Sequence, residues 1–191
     1  MTDAGHGTGL PTVTMVWAQA RDRVIGDGRG MPWRVPADMA HFVETTTPGI
    51  CIMGRATWDG IPPRFRPFEG RHTIVCTRDS EWADDPANAG ADRAGGVAEA
   101  LQMAGTGGVP VYICGGGQIY AAAMPYATSC VVTEIDADAP GDVRAPELDP
   151  AEWQQVEVGE WLTDERSRVD GWGGPVRHRY SRWEKGGREW P

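Results

Sequence analysis

The chain has no long apolar run. Its uncharged hydrophobic stretches fall far short of the roughly twenty residues that a bilayer-spanning helix needs. It also lacks an excess of positive charge. Eighteen Lys and Arg stand against 27 Asp and Glu, a net charge of −9, which argues against nucleic acid or an anionic membrane as a partner. An anionic small ligand remains compatible, because a local cluster of arginines outweighs a distant global field. Cysteine is scarce. Cys51, Cys76, Cys114 and Cys130 form no CxxC pair, and each lies in an apolar, strand-like run. The expectation is four reduced, buried thiols in a cytoplasmic protein. The four histidines are scattered and the cysteine spacing suits no zinc site, so no metal is expected. Neither GxGxxG nor GxxxxGK[ST] occurs, which removes the Rossmann and P-loop readings. Met1 to Pro11 is Gly/Thr-rich, with no cationic start or apolar stretch, so no secretory signal is expected.

What is present describes a folded domain. A chain of 191 residues, 40% hydrophobic and with nine Trp, is long enough for one domain with a full-sized core. Residues 12–19 read as a buried strand. Ala20 to Pro36, with Gly26, Gly28 and Gly30, reads as a long loop, and long ordered loops are often functional lids. Pro36-Ala37-Asp38-Met39 opens a helix: Pro is tolerated in the first turn, and Asp there suits the helix dipole. Met39, Phe42 and Val43 give it an apolar stripe, and it stops before Pro48-Gly49.

Further along, Ile50 to Met53 reads as a strand that turns through Gly54-Arg55-Ala56-Thr57-Trp58 into a short helix. Residues 71–77 form another strand, and Arg78 to Gly96 reads as polar surface loops around a weak strand. Val97 to Ala104 reads as a helix and Val109 to Cys114 as a strand. Gly115-Gly116-Gly117 leads into a helix from Gln118 to Ala123, and Ser129 to Ile135 is a strand. Two strand candidates between Trp153 and Trp183 are joined by a Gly-rich turn at Gly171 to Gly174, and Glu184 to Pro191 reads as a frayed end. Alternating strands and helices imply an α/β domain with a largely parallel sheet, and the strand-rich end implies an antiparallel edge.

Two features carry chemistry. Met31-Pro32-Trp33-Arg34-Val35-Pro36-Ala37-Asp38 places one carboxylate among apolar neighbours, where it needs a partner; a cationic or hydrogen-bond-donating ligand is one candidate. Burial there should raise its pKa toward working pH. Three strand ends, at Gly54 to Thr57, Thr77-Arg78 and Gly115 to Gln118, offer glycine turns, helix starts and two arginines. Ligands of open α/β sheets lie beyond such ends, and this set suits a phosphorylated nucleotide cofactor.

Val24-Ile25-Gly26, Met31-Pro32-Trp33, Pro36-Ala37-Asp38, Met53 to Trp58, Gly70-Arg71, Gly115 to Tyr120 and Thr133-Glu134-Ile135-Asp136 stand in the order seen in dihydrofolate reductase. The chain resembles that family over about residues 12–184. Trp17 and Tyr126-Ala127-Thr128 resemble its actinobacterial branch.

The resemblance implies a single domain at 12–184, an N-terminal extension at 1–11 and a tail at 185–191. It implies a central sheet of about eight mostly parallel strands with an antiparallel C-terminal edge strand, flanked by about four helices. The implied activity is NADPH-dependent reduction of 7,8-dihydrofolate to 5,6,7,8-tetrahydrofolate by a monomer that binds antifolates. Asp38 matches the carboxylate that holds the pterin and supports its protonation. Thr133 hydrogen-bonds that carboxylate, Trp33 holds a water, and Met31 lies at the tip of the loop that closes over the nicotinamide. Val16, Trp17, Ala18, Phe42, Ile61, Phe68, Cys114 and Tyr120 would line the substrate pocket. Arg71 would pair with the α-carboxylate of the substrate's glutamate tail.

For NADPH, Ala18, Ile25, Gly26, Gly54, Ala56, Cys114 and Tyr120 would line the site. Arg55 and Thr57 would lie at the pyrophosphate, with Gly115, Gly116, Gly117, Gln118 and Ile119 beneath it. Thr77 and Arg78 would receive the ribose 2′-phosphate, and the Gly115–Gly116 bond resembles the family's cis peptide. Cys114 departs from a branched aliphatic common in the family, Ala56 from a His or Arg, and Ile61 to Phe65 is a longer connection than in short members. The alternatives are a riboflavin-pathway reductase sharing fold and cofactor, and a catalytically silent ligand-binding domain.

Overall fold

Buried β-branched runs set the frame. The computed structural model describes residues 12–186, so the extension at 1–11 and residues 187–191 of the tail lie outside the described residues. In chain order the elements are β1 (Val13–Gln19), β2 (Val24–Gly26), β3 (Trp33–Arg34), α1 (Pro36–Thr46), β4 (Gly49–Gly54), α2 (Arg55–Gly60), β5 (Arg71–Cys76), β6 (Ala91–Ala94) and α3 (Val97–Ala104). They continue with β7 (Val111–Ile113), α4 (Gly117–Ala123), β8 (Ser129–Ile135), β9 (Val143–Arg144), β10 (Trp153–Val158), β11 (Leu162–Thr163), β12 (Arg168–Val169) and β13 (Arg177–Lys185).

The main sheet runs β10-β13-β8-β1-β7-β4-β5-β6, with β11 added beside β13. From β8 to β6 all pairings are parallel; β13 pairs antiparallel with both β8 and β10. A parallel sheet is covered on both faces, so its central strands are apolar throughout. All six residues of β4 are buried. One core, built on Met15, Ile52, Ile74, Val111 and Ile113, lies under α3 and α4. A second, with Cys51, Met53, Val75, Trp58 and Trp82, fills the other face. Gly49 is fixed by close approach: a Cβ there would lie 2.5 Å from the Tyr112 ring.

Three expectations need correction. Ala20 to Pro36 is not one free loop, because β2 pairs with β9 and β3 with β12. Only Asp27 to Met31 projects between these bridges, folded by Asp27 Oδ1, which accepts the N–H groups of Arg29 and Gly30 at 2.8 Å each. Those two bonds hold the Asp27 carboxyl below its ordinary range. The two C-terminal strands do pair, but the connection between them also carries β11 and β12, not just a Gly171 to Gly174 turn. Glu184 and Lys185 are not frayed. They pair with Gln154 and Trp153, and Lys185 Nζ donates to the Met124 carbonyl at 3.0 Å. The polar stretch after Arg78 is ordered by Asn88, whose side chain accepts from Trp58 Nε1 and donates to the Trp82 carbonyl, both at 2.8 Å.

Candidate active site

The carboxyl ends of β1, β4, β5 and β7 lie at one end of the sheet, because these strands run parallel. Pro36 starts α1, and Asp38 lies in its first turn with its N–H bonded to the Val35 carbonyl at 3.1 Å. The side chain of Asp38 is half-buried beside a cavity of about 300 Å³ lined by Met31, Trp33, Arg34, Val35, Pro36 and Met39. Trp33 is buried, and its Nε1 has no protein partner. Met31 is 50% exposed, at the C-terminal end of the projecting segment.

Behind Asp38, β8 and β13 set Thr133 opposite Tyr180, and β1 sets Ala18 on the other side of Thr133. Burial pushes the Asp38 carboxyl above its ordinary value, while the Thr133 hydroxyl and the His41 and His178 rings pull it down. The His41 ring lies 4.0 Å from Tyr180, and His178 lies edge-on to Tyr180 at 5.5 Å. His178 is 1% exposed, neither ring nitrogen has a protein partner, and burial lowers its pKa. A buried polar ring without a partner is unusual, and this one sits within the electrostatic reach of Asp38. His41, His178 and Tyr180 escaped the sequence reading. The only available signal was two histidines on segments that flank Asp38 and Thr133.

The folded chain thus holds the Asp38 proton more tightly than the unfolded chain does. Above the unfolded carboxyl's value, about 3.9, the unfolded state sheds that proton first, so stability falls as pH rises toward the folded value and the loss is complete above it. Asp38→Asn removes this cost. The variant should melt above the parent at pH 7 in ligand-free thermal scans, with the difference vanishing near pH 4. A parent as stable as the variant at pH 7 contradicts a strained carboxylate.

A separate aromatic cluster joins α1 to the segment before β5. Phe42 and Phe68 meet edge to face at 5.7 Å, and the Arg71 guanidinium lies 4.4 Å from the Phe68 ring. Arg71 Nη1 donates to Thr46 Oγ1 at 2.9 Å and Nε to the Glu69 carbonyl at 3.2 Å. Ile61 and Phe68 pack half-buried on the Cys51–Trp58 core, together with Cys114. The Cys51 thiol lies against that of Cys114, which lowers Cys51 and raises Cys114, with burial adding to the rise. All four cysteines are free; three are buried and Cys114 is half-buried. Val16 and Trp17 alternate along β1. Trp17 turns into the main core against Tyr120, at 5.2 Å, and the Tyr120 hydroxyl donates to the Val16 carbonyl at 2.6 Å.

The glycine turn is built by close approach. The Gly115–Gly116 peptide is cis, and Gly115 has φ +110°. Its carbonyl accepts the Gly54 N–H at 2.7 Å, which joins the ends of β4 and β7. A Cβ on Gly54 would lie 3.0 Å from Ile119, and one on Gly116 would lie 3.5 Å from Thr57 Oγ1. Neither α2 nor α4 has a side-chain cap, so their first N–H groups face this turn without one. Gly117 backs onto Val143 and Ile25, while Gly26 lies under the Gly30 carbonyl. Ala56 and Gln118 are exposed. Arg55 and Arg78 are exposed at the ends of β4 and β5, beside half-buried Thr57 and Thr77. The structure therefore gathers the three expected strand ends, while Asp38 and Trp33 line the cavity and Thr133 hydrogen-bonds Asp38 from β8.

Comparison with known proteins agrees with this geometry. The family model described as dihydrofolate reductase matches residues 12–171. The dihydrofolate reductase of Mycobacterium tuberculosis is 44% identical over 155 residues, spanning 80% of this chain and 89% of that protein. That of Mycobacterium leprae is 40% identical over 156 residues, 80% and 90% of the two chains. A solved dihydrofolate reductase from Enterococcus faecalis, complexed with NADP(H) and RAB-propyl, superposes with a TM-score of 0.78 at 27% identity, covering 92% of this chain and 97% of that one.

Proposed function

The chain belongs to the dihydrofolate reductase family, and from that premise we propose how it reduces 7,8-dihydrofolate to 5,6,7,8-tetrahydrofolate with NADPH. The observation that supports the reading best is Asp38, the only carboxylate among the described residues that line its cavity, half-buried and shifted upward by that burial. A pterin offers such a carboxylate an amino group and a ring N–H in one plane. Asp38 accepts both, and Thr133 steadies it from β8. Trp33 holds a water at the pocket mouth, through which a proton reaches the ring nitrogen next to the reacting carbon. Asp38 favours that protonation without delivering the proton itself.

Phe42, Ile61, Phe68 and Cys114 close the apolar wall around the pterin and benzoyl rings, with Val16 and Ala18 on the β1 side. Arg71 receives the α-carboxylate of the glutamate tail. The segment that ends at Met31 closes over the reacting rings and excludes bulk water.

The donor set fits NADPH: two exposed arginines, two threonine hydroxyls and a glycine turn closed by the Gly54–Gly115 backbone hydrogen bond meet at three strand ends. NADPH, when bound, supplies the hydride. Arg55, Thr57 and the backbone of Gly115 to Ile119 would hold its pyrophosphate, and Thr77 and Arg78 would hold the 2′-phosphate. Ile25, Gly26, Ala18 and Tyr120 would line the nicotinamide end. Antifolates would occupy the Asp38 pocket, and the active unit is a monomer.

Consumption of NADPH by the full chain, with dihydrofolate in one cuvette and the riboflavin-pathway pyrimidine in another, tests the reading. Turnover only of dihydrofolate supports it. Turnover only of the pyrimidine, or binding without turnover, favours one of the alternatives.

A further inference from the structure

The cation that ends β4 is already paired. Arg55 Nη1 donates to Asp79 Oδ2 at 2.9 Å, and its Nε lies 3.4 Å from Asp59. Asp79 is held firmly for a surface residue. Its N–H donates to Thr77 Oγ1 at 3.2 Å, its carbonyl accepts from Arg93 Nε at 2.8 Å, and its Oδ1 accepts the Glu81 N–H at 3.1 Å. These bonds leave Oδ2 directed at Arg55. Asp79 is therefore a held negative charge, paired with Arg55, bonded through its carbonyl to Arg93 and next in sequence to Arg78.

A fixed carboxylate treats the two ends of a ribose choice differently. It accepts a hydrogen bond from a free 2′-hydroxyl, as the acidic residue of other dinucleotide sites does. It repels a 2′-phosphate, a charge that only NADPH carries. We propose that Asp79 is a specificity-determining residue that narrows this chain's preference for NADPH over NADH. The proposal rests on the reading that Thr77 and Arg78 receive the 2′-phosphate. The side chains of Arg55 and Asp79 are 49% and 44% exposed, so solvent weakens the effect, which should be several-fold rather than thousand-fold.

Equilibrium titration of the full chain with NADPH and with NADH, read by quenching of tryptophan fluorescence, tests this without turnover. Asp79→Asn keeps the shape and should tighten NADPH roughly three- to tenfold, leaving NADH within about twofold. Asp79→Ala, which offers no amide to a phosphate, should move in the same direction. The gain should shrink at about 1 M salt. Arg78→Ala in parallel should weaken NADPH far more than NADH. If Arg78→Ala weakens both alike, the 2′-phosphate lies elsewhere and the proposal falls with that placement. If Arg78→Ala is selective but neither Asp79 variant tightens NADPH, the role of Asp79 alone is overturned.

Discussion

Asp38→Asn should lower turnover of dihydrofolate at pH 7 by roughly two to four orders of magnitude, the range that a positioned acid–base group contributes. The amide is nearly isosteric, so the pocket keeps its shape. What it loses is the negative charge that makes a protonated pterin nitrogen favourable. Only substrate already protonated in solution can then react. The sign of the pH dependence follows: the variant's rate should rise about tenfold for each unit that pH falls, until substrate is protonated from solution. The parent should instead level off below an apparent pKa that belongs to Asp38 and the bound pterin nitrogen together, because the Asp38 charge draws the proton onto that nitrogen. Single-turnover rates across pH measure this. Near-normal turnover at pH 7 would remove Asp38 from the protonation step. Since the same substitution should stabilise the ligand-free fold, a slow variant that melts higher separates lost chemistry from lost structure.

Arg71→Leu should raise the KM for dihydrofolate by about two orders of magnitude with little change in kcat. Removing one partner of a desolvated charge pair costs about 2–5 kcal/mol, and every 1.4 kcal/mol is about tenfold in affinity. Leucine keeps contact with the Phe42 and Phe68 rings, so the loss reports the guanidinium. That group is already positioned by Thr46 Oγ1 and the Glu69 carbonyl, which limits the ordering it would lose on binding. The role of Arg71 is remote from the reacting rings, so the split between KM and kcat is diagnostic. A dihydropterin that lacks the glutamate tail should bind parent and variant alike. A tenfold or greater difference for that truncated substrate would show that Arg71 does something other than hold a carboxylate.

The frame of the molecule was readable because its strands are long, apolar and bounded by Gly and Pro, so local pattern and tertiary burial agree. The pinning of the Ala20 to Pro36 segment was not. β3 and β12 are two residues each, and such strands exist only because Trp33 meets Val169 from far along the chain. No local periodicity announces a pairing of that kind. Lys185 was misread as part of a frayed end because its anchors, the Met124 carbonyl and Trp153, belong to other segments.

At the site, Asp38, Trp33 and Arg71 were legible because their motifs are contiguous. His178 was not: it is a polar residue in an alternating strand whose inward face happens to back onto the Asp38 pocket. Asp79 looked like one more surface charge in a polar stretch, and only its distance to Arg55 gives it meaning. Cys114 was flagged by its departure from a branched aliphatic, but its contact with Cys51 required the alignment of β4 with β7.

The most direct measurement follows NADPH and tetrahydrofolate together, using purified full-length chain, dihydrofolate and NADPH at neutral pH. The expected result is one tetrahydrofolate formed for each NADPH consumed, with both rates collapsing together in Asp38→Asn. Folded protein that binds NADPH yet forms no tetrahydrofolate would contradict the assignment of this pocket to dihydrofolate reduction.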